Sequence, residues 1–242
     1  MKILPYFNKK LALSLLDICN LTYKQYKHDG YFHVPDGFRL VQTFKGVPNG
    51  HPEWFGFILE SNDAVITAFR GTQSDTDWIA DCEVFQNPYP YTNDGGHVHH
   101  GFLSIYDSCR DVIMRTYETL SKEKNLYITG HSLGAAIATL HALDVSANSP
   151  FKETIMYNYG SPRVGNKQFS EKYNSFVPFS IRYVNTEDIV PMVPPRQIYC
   201  PFTRKVWDYK HVNESIDFTI QTGSIRKNHY PKSYRTGIES LS

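Results

Sequence analysis

The most constraining feature of this sequence is residues 125–143, where a short apolar run, the pentapeptide Gly-His-Ser-Leu-Gly and a helix-forming run follow one another. Residues 126–128 favour a strand, and residues 135–140 favour a helix. Between a strand and a helix, the pattern G-x-S-x-G forms a sharp turn with its serine at the tip. Both flanking positions are glycine because larger side chains there would collide. The pattern therefore predicts Ser132 as a nucleophile above the carboxyl edge of a sheet.

Two backbone amides near this serine are candidate oxyanion donors. The N–H of Leu133 would lie at a helix N-terminus, where unpaired amides and the helix dipole favour negative charge. A second donor is expected in the loop after an early central strand, and the Phe-Arg-Gly-Thr run at 69–72 fits that place. Thr72 could donate through its backbone N–H and its hydroxyl. The alternative for Thr72 is a simple turn at the end of a strand.

A nucleophilic serine needs an imidazole to take its proton and a carboxylate to orient that imidazole. In α/β-hydrolases the chain order is serine, acid, histidine, each at the end of a strand. Asp188 closely follows the strand-like run 180–184, so it is the favoured acid. Its neighbour Glu187 is the local competitor. An acid that only caps the turn at Ile189 is the other alternative.

Two histidines follow Asp188 in the sequence, His211 and His229. His229 precedes the last predicted helix in a loop, from which it could reach the nucleophile, whereas His211 lies beside a predicted hairpin of residues 206–210 and 215–221. We therefore favour His229 as the base. The alternative for His229 is a surface or helix-capping histidine.

The order of the predicted elements indicates an α/β fold. Three early strands, at 38–44, 54–59 and 64–69, suggest an antiparallel start to the sheet, and strands then alternate with helices as in a parallel sheet with right-handed crossovers. No Gly/Ser-rich linker divides the chain, so residues 1–242 are predicted to form a single domain. With 25 Lys and Arg against 24 Asp and Glu, the net charge of +1 indicates no nucleic-acid partner. No apolar run approaches the ~18 residues of a membrane-spanning helix.

The N-terminal region predicts an amphipathic first helix. Leu11, Leu15, Ile18 and Leu21 recur at helical spacing, and no small-residue cleavage site follows the short apolar run, so a signal peptide is not indicated. We therefore expect a cytoplasmic protein, without excluding export by another route. The four cysteines have no metal-binding spacing and are expected to be thiols. No metal site is expected at the histidines of 97–100, because no carboxylate or cysteine stands at ligand spacing.

Several motifs in their order resemble the class 3 lipases, the family of fungal triacylglycerol lipases and feruloyl esterases with bacterial and plant relatives. The matching stretches are AVITAFRGT (64–72), DWIAD (77–81), HHGF (99–102), ITGHSLGAAIATL (128–140), YGSPRVGN (159–166), RYVNTEDIVPMVPP (182–195) and GSIRKNH (223–229) with a following Tyr234. Any one of these motifs is modest evidence of relationship. Their common order and spacing over most of the chain are specific.

The resemblance implies an α/β-hydrolase fold with a mixed, mostly parallel central sheet flanked by helices and carrying a lid segment. It implies Ser132 as nucleophile, Asp188 as acid and His229 as base, with Thr72 and Leu133 at the oxyanion positions. The expected activity is hydrolysis of acylglycerols or similar carboxylic esters, without a cofactor. A phospholipase A1 and an aryl or feruloyl esterase are the alternatives among enzymes. A catalytically silent binding protein is the other class, although such proteins usually lose one of the three catalytic residues.

The stretch from about 73 to 100 occupies the place of the family's lid, through which a transient contact with a lipid surface is possible. Its apolar side chains are few, chiefly Trp78, Ile79, Val84 and Phe85. Its first half carries four acidic residues, Asp75, Asp77, Asp81 and Glu83. A lid with so small an apolar face predicts an esterase-leaning lipase with weak interfacial activation.

Overall fold

The computed structural model describes residues 8–48, 50–72, 85–149, 151–200 and 204–241. Its helices are α1 (Lys9–Lys27), α2 (His100–Glu118), α3 (Leu133–Asn148), α4 (Lys167–Phe176), α5 (Ile225–Asn228) and α6 (Pro231–Ser240), with a 3-10 turn at Val190–Met192. Its strands are β1 (Arg39–Gly46), β2 (Glu53–Glu60), β3 (Ala64–Phe69), β4 (Gln86–Pro88), β5 (His97–His99), β6 (Asn125–His131), β7 (Thr154–Tyr159), β8 (Phe179–Asn185), β9 (Gln197–Cys200), β10 (Lys205–Asp208) and β11 (Ser215–Phe218).

The central sheet has seven strands in the order β1-β2-β3-β6-β7-β8-β11. The first three are joined as antiparallel neighbours. From β3 onward every pairing is parallel, with a helix between β6 and β7 and another between β7 and β8. This confirms the predicted mixed, mostly parallel sheet of an α/β-hydrolase. The carboxyl ends of β3, β6 and β8 meet at one edge, where a site in such a fold is expected.

The predicted hairpin between residues 206–210 and 215–221 is wrong. Strand β10 pairs instead with β9, with Val206 opposite Tyr199. Strand β11 joins the central sheet in parallel with β8, with Phe218 opposite Asn185. Three prolines at 191, 194 and 195 made the region of β9 resemble a loop. Phe218 is buried beside Tyr234 of α6, and this burial holds β11 on the sheet rather than on β10.

Helices cover both faces of the sheet. Side chains of β3 alternate between two cores, with Val65 and Phe69 on the side of α2, α3 and α4, and Ile66 and Ala68 on the side of α1 and α6. Each fully buried side chain of this size stabilises the fold by about 1.5–3 kcal/mol before the entropy of ordering is subtracted. The predicted first helix therefore belongs to the folded core.

The later part of the predicted lid is anchored to the body of the protein. Strands β4 and β5 pair within it. The hydroxyl of Tyr89 donates to the carbonyl of Leu140 in α3 at 2.7 Å, and its ring packs edge-on against Phe169 of α4. Residues 73–84, including Trp78, Ile79 and Val84, lie outside the described residues. The lid predicted at about residues 73–100 stays a prediction.

A buried polar network joins α3 to α2. The carboxylate of Asp144 accepts from the hydroxyl of Tyr106 at 2.6 Å and from Nε of Arg110 at 2.5 Å. His141 donates through Nδ1 to the Tyr106 hydroxyl at 3.0 Å and accepts at Nε2 from the Tyr117 hydroxyl at 2.8 Å. Burial lowers the pKa of His141 to about 4, so the ring is neutral in the folded protein at neutral pH.

This buried histidine predicts a loss of stability in acid. In the unfolded chain His141 gains a proton below about pH 6.5, whereas in the folded chain it stays neutral down to about pH 4. Its contribution is therefore complete above pH 6.5, and falls by about 1.4 kcal/mol per pH unit below it. In denaturant titrations, His141→Gln should reduce the difference in unfolding free energy between pH 7 and pH 5 by about 2 kcal/mol.

The exposed His33 provides the matched control, since His33→Gln should leave that difference unchanged. An identical pH dependence in His141→Gln and the unmodified protein would show that His141 takes up a proton in the folded state.

Candidate active site

Ser132 stands at the turn between β6 and α3 with φ of 60° and ψ of −130°. This strained conformation of a non-glycine residue costs about 1–3 kcal/mol and is held by its surroundings. The N–H of Ser132 donates to the carbonyl of Tyr159 at the end of β7, at 3.0 Å. A Cβ on Gly130 would lie 2.3 Å from the carbonyl oxygen of Gly134, and one on Gly134 would lie 2.3 Å from that of Phe69. The two glycines therefore permit the close approach of β6, α3 and β3.

Asp188 lies just beyond β8 and is almost completely buried. Its Oδ1 accepts the N–H of Val190 at 2.9 Å. Its Oδ2 accepts two hydrogen bonds of 2.6 Å, from Nδ1 of His229 and from the hydroxyl of Tyr234. His229 therefore carries its proton on Nδ1, which leaves a lone pair on Nε2. That Nε2 is buried and has no hydrogen-bond partner among the described residues.

His131, the residue before the serine, supports the backbone of His229. Its Nε2 donates to the carbonyl of His229 at 2.8 Å, and its Nδ1 accepts from the hydroxyl of Tyr23 in α1 at 2.8 Å. Burial, followed by the charge of His229, lowers the pKa of His131 well below its usual value. The ring is thus neutral, as this pattern of one donor and one acceptor requires. The two imidazoles lie 4.6 Å apart between centroids.

Two asparagines hold the acid loop and the histidine loop together. The side-chain nitrogen of Asn185 donates to the carbonyls of Asn228 and Ile220, both at 2.9 Å. That of Asn228 donates back to the carbonyl of Glu187 at 3.0 Å. Both asparagine side chains are buried, so leaving these groups unpaired would be costly. They fix the position of His229 relative to Asp188.

The loop after β3 runs beside the serine. A Cβ on Gly71 would lie 2.7 Å from the carbonyl oxygen of His131 and 3.1 Å from Cβ of Ser132. Arg70 anchors this loop through an ion pair of 2.7 Å with Glu53. Thr72 follows at a half-buried position.

Leu133 is the first residue of α3, so its N–H has no carbonyl acceptor within the helix. Of the two predicted oxyanion residues, Thr72 follows Gly71, which borders the turn at Ser132, and Leu133 follows Ser132 itself.

The two rival residues form other contacts. The Glu187 carboxylate accepts from Gln221 at 2.6 Å near the surface. Nε2 of His211 donates to the carbonyl of Pro191 at 2.7 Å. Burial, followed by the charge of Arg182, lowers the pKa of His211 to about 3. Among the described residues, these hydrogen bonds direct both side chains to partners other than Asp188 and His229.

The positioning roles of Tyr234, Asn185 and Asn228 were not predicted from the sequence. Tyr234 appeared there only as part of a matching motif, and Asn185 and Asn228 were not singled out. Asparagines are common in loops, so the sequence around Asn185 and Asn228 gave no sign of a positioning role. Tyr23 lies 108 positions from its partner His131, a distance over which no local pattern applies.

The histidines near β5 have structural contacts. Nδ1 of His99 accepts the N–H of Phe102 at the start of α2, and Nδ1 of His100 pairs with the Asn87 side chain. Among the described residues, no three His, Cys, Asp or Glu side chains are grouped to hold a metal ion. Cys19 and Cys109 are buried free thiols, as predicted, whereas Cys82 lies outside the described residues. No described helix has both the length and the apolar character needed to cross a membrane.

The parallel sheet, the strained serine between strand and helix, and the Asp–His pair at the adjoining strand ends are the arrangement of an α/β-hydrolase. The family model described as Lipase (class 3) matches residues 66–198, more than half of the chain. The chain therefore belongs to the class 3 lipase family, which confirms the resemblance seen in the motifs.

Named relatives include lipases and phospholipases. The secreted mono- and diacylglycerol lipase A of Penicillium cyclopium is 38% identical over 170 residues, which cover 69% of this chain and 53% of the relative. Phospholipase A1-II 1 of Oryza sativa subsp. indica is 29% identical over 225 residues, which cover 78% of this chain and 57% of the relative. The chain thus spans about half the length of the curated relatives that it matches.

A solved structure shares the fold. The Rhizomucor miehei lipase, in its native propeptide complex, superimposes with a TM-score of 0.72 at 23% identity, covering 96% of this chain and 79% of that chain. At this identity the likeness supports the fold alone, and it agrees with the predicted α/β-hydrolase architecture.

The predicted cytoplasmic location is contradicted by these relatives, since the Penicillium lipase is named as secreted. The prediction depended on the residues around α1, which form a core helix. A core helix is a property of the fold and contains no information about the compartment in which the protein works.

The hydrogen bond from Tyr234 to Asp188 predicts a catalytic effect. Tyr234→Phe removes a donor to a buried carboxylate, a loss of about 1.5–3 kcal/mol, and should lower kcat on a soluble ester by about tenfold or more with little change in KM. Tyr230→Phe, at a partly exposed tyrosine four positions earlier, is the control and should retain full activity. Equal activity of both variants would mean that Asp188 does not need this bond.

Proposed function

We propose that this protein is a serine carboxylic ester hydrolase, a lipase acting on acylglycerols through an acyl-enzyme on Ser132. The observation that carries the proposal is the buried His229, whose Nδ1 is bonded to Asp188 while Nε2 is left without a partner among the described residues. Membership of the class 3 lipase family and the acylglycerol lipase among its relatives support the substrate class.

In the proposed reaction, Ser132 Oγ attacks the ester carbonyl carbon while Nε2 of His229 takes its proton. Asp188 stabilises the resulting imidazolium. The N–H groups of Leu133 and Thr72 donate to the oxyanion of the tetrahedral intermediate. Collapse of this intermediate breaks the bond to the alcohol, which leaves with the proton from His229. Water, activated by the same imidazole, then releases the acid from Ser132, and no cofactor is required.

We further propose that residues 1–242 act as one domain, with a lid-like loop at about residues 73–100. The single seven-stranded sheet with a core on each face supports one domain. A transient lipid contact through that lid follows from its apolar residues Trp78, Ile79 and Val84.

The proposed nucleophile and base are tested together. Ser132→Ala, Asp188→Asn and His229→Ala should each lower turnover of a p-nitrophenyl ester by orders of magnitude, because the three groups act as one unit. Labelling by a fluorophosphonate probe should disappear in Ser132→Ala. His211→Ala is the matched control and should keep both signals. Loss of turnover in His211→Ala with turnover kept in His229→Ala would transfer the role of the base to His211.

The substrate is tested on esters of different acyl length. The small apolar face of the proposed lid predicts fastest turnover of short to medium chains and a smooth rate curve through the solubility limit of tributyrin. A sharp rise at that limit, with a preference for long chains, would instead indicate a true interfacial lipase. A phospholipase A1 is the second candidate, because one relative carries that name. Turnover of phosphatidylcholine and of diacylglycerol, offered in the same micelles, distinguishes a phospholipase A1 from a lipase.

A further inference from the structure

Exposed apolar side chains are concentrated in two segments of the chain, one that follows Asp188 and one that contains His229. Of the eight large hydrophobic residues exposed in the described part of the chain, five lie in residues 190–210 and 222–230. They are Met192, Tyr199, Val206, Ile225 and Tyr230, with exposed fractions of 63%, 59%, 59%, 59% and 37%. We call the described part of these two segments the rim. Isolated exposed apolar residues are normal on a surface, but a concentration of them marks an interaction site.

Two parts of the rim adjoin the catalytic pair and each other. Met192 and Ile225 line the same cavity as Asp188, a space of about 440 Å³. Arg163 connects the loop that carries Met192 to the body, through hydrogen bonds from its Nη1 to the carbonyls of Met192 and Pro194. The backbone N–H of Tyr209 then donates to the carbonyl of Arg196, so the loop continues directly into the β9–β10 ladder.

The β9–β10 ladder presents one apolar pair to solvent. Tyr199 and Val206 are cross-strand partners, so their side chains point to the same face. A tyrosine and a valine that are both more than half exposed contribute little burial to the stability of the fold. Aromatic and aliphatic side chains of this kind enter the interface between lipid and water.

The rim is also strongly basic. Its exposed cations include Arg196, Arg204, Lys205, Lys210 and Lys227. Asp208 is the one carboxylate in the described part of these segments outside the candidate catalytic pair, and its Oδ2 accepts the N–H of Lys167. The whole chain has a net charge of only +1, so these two segments are more basic than the chain as a whole.

We propose that the rim docks the protein on an anionic lipid surface, with Tyr199, Val206, Met192 and Ile225 entering the interface and the cations contacting lipid phosphates. The inference rests on the proposed lipase function. It states that the protein encounters its ester substrate in an anionic lipid surface. Charge complementarity selects this partner, since apolar side chains interleaved with cations match a negatively charged bilayer surface. The cavity beside Asp188 then opens toward the membrane.

This surface differs from the proposed lid in charge. The stretch 73–84 has four carboxylates, which alone would disfavour an anionic membrane. The rim has the opposite charge and is fixed to the folded body by Arg163 and by the hydrogen bond from the N–H of Lys210 to the carbonyl of Gly165. The proposed role of the rim is therefore to adsorb the protein to the lipid surface, whereas the proposed role of the lid is to control access to Ser132.

The test measures vesicle binding apart from hydrolysis. The full chain with Ser132→Ala is floated with phosphatidylcholine vesicles and with vesicles that also contain phosphatidylglycerol. We expect stronger binding to the anionic vesicles, and a drop of about tenfold or more when Arg204→Gln and Lys205→Gln are combined. Tyr199→Ser combined with Val206→Ser should weaken binding by a similar factor.

Matched variants on other faces control for charge and hydrophobicity. Lys24→Gln with Lys27→Gln removes two exposed cations from α1, and Tyr31→Ser with Leu40→Ser removes two exposed apolar residues. Both pairs should bind the anionic vesicles like the parent. With Ser132 intact, all four paired variants should hydrolyse a soluble short-chain ester at the parent rate, which also shows that they fold.

Equal binding of the rim and control variants, or preferred binding to pure phosphatidylcholine, would overturn the docking proposal while leaving ester hydrolysis untouched. A parent chain that binds vesicles but hydrolyses no ester would instead overturn the proposed function alone.

Discussion

A single carboxylate oxygen, Oδ2 of Asp188, accepts hydrogen bonds from both His229 and Tyr234 at 2.6 Å. The loop after β8, the loop before α6 and α6 itself meet at this oxygen, and Asp188 is almost completely buried there. A buried carboxylate is tolerated only when its lone pairs are satisfied, and here three donors satisfy them. The orientation of His229, and with it the free lone pair on Nε2, follows from that requirement.

The strained turn at Ser132 depends on the same packing. Its neighbour His131 is held between Tyr23 and the carbonyl of His229, and its own N–H is bonded to Tyr159 at the end of β7. A backbone in this conformation persists only where its surroundings over-determine it. The nucleophile and the imidazole are thus fixed to one another through His131 as well as through the sheet.

Local patterns predicted much of this fold. Helix periodicity indicated α1, and the glycines around Ser132 indicated the turn, because the residues of each signal lie close together in the sequence. The pairing of β11 was predicted wrongly, since the choice between β10 and β8 is made by burial of Phe218 against a helix that comes later in the chain. Candidate residues of the site could be named from motifs, whereas the supporting contacts of Tyr23, Asn185 and Asn228 join distant segments and had no local signature.

The hydrogen bonds from Tyr23 to His131 and from His131 to the carbonyl of His229 have a consequence for folding. They join residue 23 to residue 131 and residue 131 to residue 229, so three widely separated segments close on one point. Contacts of such long sequence separation form slowly, because a large loop must be closed before any of them is gained. During synthesis on a ribosome, the residues of the serine turn are present long before the contacts that fix its geometry can form. Catalytic competence would then emerge as one of the last events of folding, after α6 has docked beside α1.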